Sequence, residues 1–266
     1  MSKTKILVAC HKQCKCHSDE IYMPIQVGKA LSDLNLGIAG DDSGDNISKK
    51  NPFYCELTAQ YWGWKNLHKD YIGLCHYRRY FRIHFSQNII DSIFSKYDIV
   101  LPSPMYYSSS MCSKMERALT LEDVAIFIQV ICNVAPDYEK ATISYLKGNK
   151  DIAYNMFLCK KETFDKFCEW QFSILSECER YVKISPYSRL KRIFGYFAEY
   201  LLPIYCLKNN LKIKYLPVVD LDGSRLQPKH EWKKILWPLT QFKLPNKLES
   251  LVSDAVKVGL HNDNIF

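Results

Sequence analysis

The sequence predicts an α/β domain: a largely parallel sheet with helices on both faces. Three observations predict it. Short apolar runs recur along the chain and stop abruptly at polar residues. Segments of helical period separate those runs. At 266 residues the chain is long enough to bury about 75% of its unfolded surface in one sizeable core.

The runs justify the strands in order. Lys5-Ile6-Leu7-Val8-Ala9-Cys10 is a buried strand that delivers His11 and Lys12 at its carboxyl end. Residues 40–52 form a polar loop rich in turn formers, and Asn51 is placed to cap a helix that starts at Pro52 and runs through Lys65. Tyr71-Ile72-Gly73-Leu74-Cys75 is a second strand, cut off by His76-Tyr77-Arg78-Arg79-Tyr80-Phe81. Tyr97-Asp98-Ile99-Val100-Leu101 is a third, closed by Pro102 and Pro104. Helical patterning covers 112–147, interrupted at Pro136. A strand-like piece at 153–159 follows, then helices over 161–181 and 190–208, and a last strand from Lys212 to Val219. Ligands of such sheets bind beyond the carboxyl ends of the strands, where the polar clusters stand.

A main domain over 1–225 and a tail over 226–266 divide the chain. The tail mixes lysine with Trp232, Ile235, Leu236, Trp237 and Phe242. That composition suits an interfacial anchor on an anionic leaflet, or an arm packed on the domain or on a second copy of the chain.

Composition narrows the classes. Hydrophobic residues make up 47% and charged residues 24%, an ordinary globular balance. Eleven cysteines are an odd number, and no apolar leader follows Met1, so a reduced, cytoplasmic setting is expected. No apolar run approaches the roughly 18–20 residues that span a bilayer, so membrane contact is expected to be peripheral. The net charge of +8 suits an anionic membrane or phosphate-bearing substrates. Without a zinc-finger, helix-turn-helix or RNA-stacking motif, nucleic acid is not expected as a partner.

Four places could carry chemistry. His76, Arg78, Arg79 and Arg82 set fixed positive charge at a strand end. Arginine pairs bidentately with phosphate, and the position directly after a buried strand favours diphosphate binding over pairing with surface carboxylates. Asp41, Asp42 and Asp45 with Asn46 read as a metal site, a solvated turn, or hydrogen-bonding partners for a nucleoside. Cys10, His11, Cys14, Cys16 and His17 lie within eight residues. One residue separates Cys14 from Cys16 and no downstream pair exists, so the spacing is not that of a paired zinc motif. Glu199 stands among apolar neighbours, as a general base of raised pKa or as a plain helix-surface glutamate.

Several runs together resemble a bacterial capsule, exopolysaccharide and O-antigen glycosyltransferase family, long labelled a domain of unknown function, with galactofuranosyltransferases among its members. They are Lys5 to Lys12, Gly44-Asp45-Asn46-Ile47-Ser48, Glu56 to Asn66, Tyr71 to Phe81, Tyr154-Asn155-Met156-Phe157 and Phe194-Gly195-Tyr196. The resemblance covers about residues 4–220, and the stretch at 71–81 is the specific part. It implies a GT-A-like fold and transfer of galactofuranose, or another hexose, from a uridine-diphosphate donor to a lipid-diphosphate-linked glycan at the inner face of the cytoplasmic membrane. His11, Lys12, Asp41, Asn46, His76, Arg78 and Arg79 would bind the donor, Asn155 and Met156 the acceptor. Glu199 would be the base of an inverting reaction. The resemblance implies no metal cofactor: GT-A enzymes set an Asp-x-Asp pair after the strand matching 71–75, whereas His76-Tyr77-Arg78-Arg79 follows here, and guanidinium groups can neutralise the same phosphates. The chain departs from the family in having Tyr200 where an arginine usually follows the acid, and no histidine around 119–123.

Overall fold

The computed structural model describes residues 3–221, 231–237 and 248–265. Eleven strands occur among them: β1 (Thr4–Cys10), β2 (Tyr22–Gln26), β3 (Ala39–Gly40), β4 (Tyr71–His76), β5 (Arg79–Phe81), β6 (Ile99–Pro102), β7 (Met105–Tyr106), β8 (Lys150–Asp151), β9 (Phe157–Lys160), β10 (Ile213–Leu216) and β11 (Val218–Asp220). The main sheet runs β10-β6-β9-β4-β1-β2-β3. The pairs β1–β2, β1–β4, β2–β3 and β6–β10 are parallel. Along that path only β9 runs against them, between β4 and β6; off it, β5 pairs antiparallel with β4 and β11 with β5. The largely parallel α/β expectation therefore holds, with one reversed strand at the centre.

The helices are α1 (Asn51–Tyr54), α2 (Leu57–Asn66), α3 (Gln87–Phe94), α4 (Met111–Ala118), α5 (Leu121–Val134), α6 (Glu139–Lys147), α7 (Lys161–Cys178), α8 (Ser188–Lys191), α9 (Ile193–Lys208), α10 (Glu231–Leu236) and α11 (Asp254–Asn262). Alternation along β1 separates two cores. Leu7 and Ala9 join the larger one, under α2, α5, α7 and α9. Ile6, Val8 and Cys10 join a smaller one with Phe81, Phe85, Ile90 and Phe94. At β4 the sheet needs a glycine: a Cβ on Gly73 would lie 2.7 Å from the Phe157 carbonyl oxygen of β9.

Three details differ from the sequence reading. Asn51 is the first residue of α1 rather than a cap, and the expected single helix breaks at Cys55, whose φ is +55°. The break is held locally, since the Asn51 amide and the Thr58 hydroxyl both donate to the Cys55 carbonyl oxygen, at 2.8 and 3.1 Å. The segment at 153–159 is a strand only from Phe157. Tyr154 and Asn155 ahead of it have φ of +85° and +49°, an uncommon region for residues with a Cβ. Third, β2 is not found by searching for apolar runs, because Pro24 interrupts it.

The expected boundary between domain and tail, at 225–226, lies outside the described residues. Beyond it, α11 buries Leu260 and packs on α5. No described helix is long and apolar enough to cross a membrane.

Candidate functional site

A cleft of about 400 Å³ opens at the carboxyl ends of β1 and β4. It is walled by His11 from the first strand and by His76, Arg78 and Arg79 from the second. The α1–α2 break supplies Asn51, Cys55 and Glu56, and α9 supplies Glu199, with Arg192 at its N-cap. The basic run is delivered by a tight reversal. His76 pairs with Arg79 across the β4–β5 turn, which puts Tyr77 and Arg78 at its tip.

The cleft's positive charge is fixed. Arg78 lies 5.9 Å from the Tyr77 ring and Arg79 4.5 Å from the Tyr154 ring. Arg192 donates from Nε to the Cys55 sulfur at 3.1 Å. Among the described residues none of the three has a carboxylate within 4.0 Å, so pairing with surface acids does not account for them. The histidines add no charge. Burial, helped by Arg79, Arg78, His11 and Arg192, lowers His76 to about 3. His11 is lowered by burial and then by Lys12, Arg192 and Arg78. Buried Nδ1 of His76 has no hydrogen-bond partner among the described residues, as expected of an atom that a ligand satisfies.

Glu199 and Glu56 are the acids of the cleft, and Glu199 has a shifted pKa. Burial, then the nearby Glu56, raises it from 4.5 to about 7, with Asp151 adding to the rise. Lys114 and a hydrogen bond from the Tyr154 N–H act against the rise and lose. Loss of water around the carboxylate disfavours its charged form, and a neighbouring acid disfavours a second negative charge. The result is a group half-ionised near neutrality, suited to accept a proton.

The other predicted residues stand elsewhere. Asp41 is fully buried and accepts hydrogen bonds from the N–H groups of Gly28 (2.9 Å) and Lys29 (3.1 Å) and from the Ser48 hydroxyl. It closes a loop with both carboxylate oxygens engaged. Asn46 stabilises the same loop, donating to the carbonyls of Asp42 and Gly44 at 3.1 and 2.9 Å. Lys12 is exposed, with its ammonium 5.6 Å from the Tyr77 ring, and does not line the cleft. Met156 is fully buried in the smaller core. Asn155 is buried and supports the cleft from behind, donating to Glu56 Oε1 at 3.0 Å and to the Gly195 carbonyl at 3.1 Å.

Sequence reasoning missed Arg192, Cys55 and Glu56. A signal existed for Arg192: seven residues ahead of Glu199 is about two helical turns, hence the same face. Cys55 and Glu56 depend on a helix break that no turn former marks. Tyr200, in place of the family's arginine, is buried and packs near Phe127 and Tyr145.

The family described as Domain of unknown function (DUF4422) matches residues 5–210. Among solved structures the chain is similar to the apo structure of the bifunctional glycosyltransferase WbbM, at 30% identity and a TM-score of 0.72. The match covers 86% of this chain and 48% of that one, so the chain spans about half the length of that relative. No curated protein matches. The likeness makes the fold GT-A-like.

The acid's environment predicts a pH-dependent stability. With a folded pKa of about 7 against an ordinary 4.5, the folded state holds more protons than the unfolded one between those values. Stability is therefore lost as pH rises through that window. Glu199→Gln removes the term. Denaturant unfolding at pH 5 and pH 8 should show the variant gaining on the native protein by up to about 3 kcal/mol at the higher pH. A gap that does not change with pH would show that Glu199 titrates normally.

Proposed function

The chain belongs to the family described as Domain of unknown function (DUF4422), and on that footing we propose that it is a glycosyltransferase acting from a nucleotide-linked sugar. One observation carries this reading: a single cleft holds three guanidinium groups without carboxylate partners and a glutamate with a pKa of about 7. The fold likeness to a glycosyltransferase supports it.

The chemistry follows from that arrangement. An acceptor hydroxyl attacks the anomeric carbon and gives its proton to Glu199. The new C–O bond forms as the anomeric bond to phosphate breaks, and that electron pair leaves on the nucleoside diphosphate. Arg78, Arg79 and Arg192 balance the charge that develops there. No metal is needed for that role in our reading. Attack from the face opposite the leaving group inverts the anomeric centre. The donor we assign is UDP-galactofuranose, and the acceptor a lipid-diphosphate-linked glycan of a bacterial surface polysaccharide. Both assignments rest on the resemblance of the runs at 5–12 and 71–81.

The tail supports a location at the membrane. The Lys233 carbonyl of α10 accepts from the Asn149 amide at 3.2 Å, and Lys234 lies 5.9 Å from the Tyr106 ring. The helix is thereby held to the β7–β8 side while Trp232, Ile235 and Leu236 remain 57%, 73% and 49% exposed. Apolar groups among lysines on a tethered helix fit the inner, anionic leaflet.

Calorimetric titration with uridine diphosphate in chelator tests the site. The native protein should bind, and Arg78→Ala should lose about 10- to 100-fold in affinity, the loss of one charged hydrogen-bonding group. Binding that requires manganese and ignores Arg78 would sink the metal-free mechanism. Donor binding without cleavage, whatever the acceptor, would make the protein a glycan- or lipid-binding module.

Turnover supplies a separate check. With Glu199 as the base, kcat/KM for a cleaved donor should rise with pH and level off above about 7. A flat profile between pH 5.5 and 8.5 would remove Glu199 from that role.

For the tail, flotation with vesicles containing anionic phospholipid should recover the native protein with lipid. Trp232→Ala with Ile235→Ala should stay behind, and an unchanged lipid-bound fraction would remove the anchor.

A further inference from the structure

The face of β1 opposite the cleft carries a feature that the proposed transfer does not use. Cys10 ends the strand and points toward the smaller core, whereas Ala9 and His11 line the cleft. The segment after it folds back, so that the sulfurs of Cys10, Cys14 and Cys16 all lie within 4.8 Å of one another. A cavity of about 70 Å³ abuts the three, closed by Leu36 and Ile38 and bordered by Lys12 and Gln13.

We propose that Cys10, Cys14 and Cys16 form a three-thiolate site for zinc, which fastens the 11–16 segment to the end of β1. The spacing has no place among paired motifs, but the fold supplies what the spacing lacks. Cys10 is fixed by the sheet, and the loop needs only to return its next two cysteines to that point. Zinc–sulfur bonds of about 2.3 Å in a tetrahedral arrangement set sulfurs about 3.8 Å apart. The observed trio needs to contract only slightly, and Cys14 and Cys16, half-buried on a loop, are free to make that adjustment.

Charge fits as well. Zinc binding releases the three thiol protons and leaves a site of one net negative charge, which Lys12 and Lys15 flank in sequence. The fourth position is left to water. Leu36 and Ile38 cover one side of the site. His11 follows Cys10 directly, so the clip would also stiffen one wall of the cleft. The zinc proposal does not depend on the transferase reading.

The test uses full-length protein purified under reductant, stripped with chelator, then reloaded with zinc and freed of excess. Elemental analysis should find one zinc per chain in the native protein and in the control Cys132→Ser, and almost none in Cys14→Ser with Cys16→Ser. Both replaced residues lie outside the main core, and circular dichroism checks that the variant folds. Zinc should raise the melting temperature of the native protein and leave the double variant unmoved. Cobalt in place of zinc should give thiolate charge-transfer absorption in the native protein alone. Zinc far below one per chain in the native protein, or equal zinc in the double variant, would overturn the proposal. So would a disulfide among the three cysteines, found by mass mapping after purification under reductant.

Discussion

The cleft depends on one joint, the left-handed pair Tyr154 and Asn155 just before β9. From it the Tyr154 N–H reaches the Glu199 carboxylate on α9. The next residue's amide reaches Glu56, at the break between α1 and α2, and the Gly195 carbonyl on α9. Three separate elements are thereby fixed to the edge of the sheet. Two non-glycine residues at positive φ cost on the order of 1–3 kcal/mol each. Hydrogen bonds to two carboxylates return on the order of 1.5–3 kcal/mol each, so the joint holds as long as both acids are present. Gly195 belongs to the same arrangement: a Cβ there would sit 3.2 Å from the Cys55 sulfur, which would have to give by a few tenths of an ångström.

The electrostatics follow from that geometry. A glutamate near three arginines would ordinarily be held low, yet Glu199 is raised. Burial and a second carboxylate outweigh the two groups that act against the rise, Lys114 and the Tyr154 N–H. The arginines face the open side, where solvent screens them until a ligand displaces it. The cleft is thus ordered from a neutralisable acid within to fixed positive charge at the mouth. An anionic leaving group meets the charge, and a hydroxyl meets the acid.

How much of this was legible in the sequence depended on the range of the interaction. Strands β1 and β4 were legible because an apolar run ending in polar residues is a local pattern, and that pattern also set His11, His76, Arg78 and Arg79 at the ligand edge. Glu199 was legible from its apolar neighbours, although only its burial in the fold, beside Glu56, explains the direction of its pKa. Asp41 and Asn46 hydrogen-bond within their own loop, and in the sequence an acid and an amide in a polar loop look the same whether they meet a ligand or close the loop. Asn155 supports the cleft from behind and Met156 lies in the smaller core; a motif marks residues that a family needs, and a need can be structural. Glu56 was not legible at all, since Cys55 breaks the helix without a glycine or proline to announce it.

The cysteines at 10, 14 and 16 show the same limit from the other side. Ligand spacing rules describe loops that bring sulfurs together by themselves, through a turn of fixed geometry. Here a strand end supplies the first sulfur and its position is set by pairing to Gln26 and Val27, far along the chain. Only the return of the loop is local. A spacing that is wrong for a self-contained loop is therefore no argument against a site in which the sheet does half of the positioning. The same holds for the cleft, where Arg192 and Glu199 share a helix face but reach His76 and Arg78 only because β4 and α9 are packed around one joint.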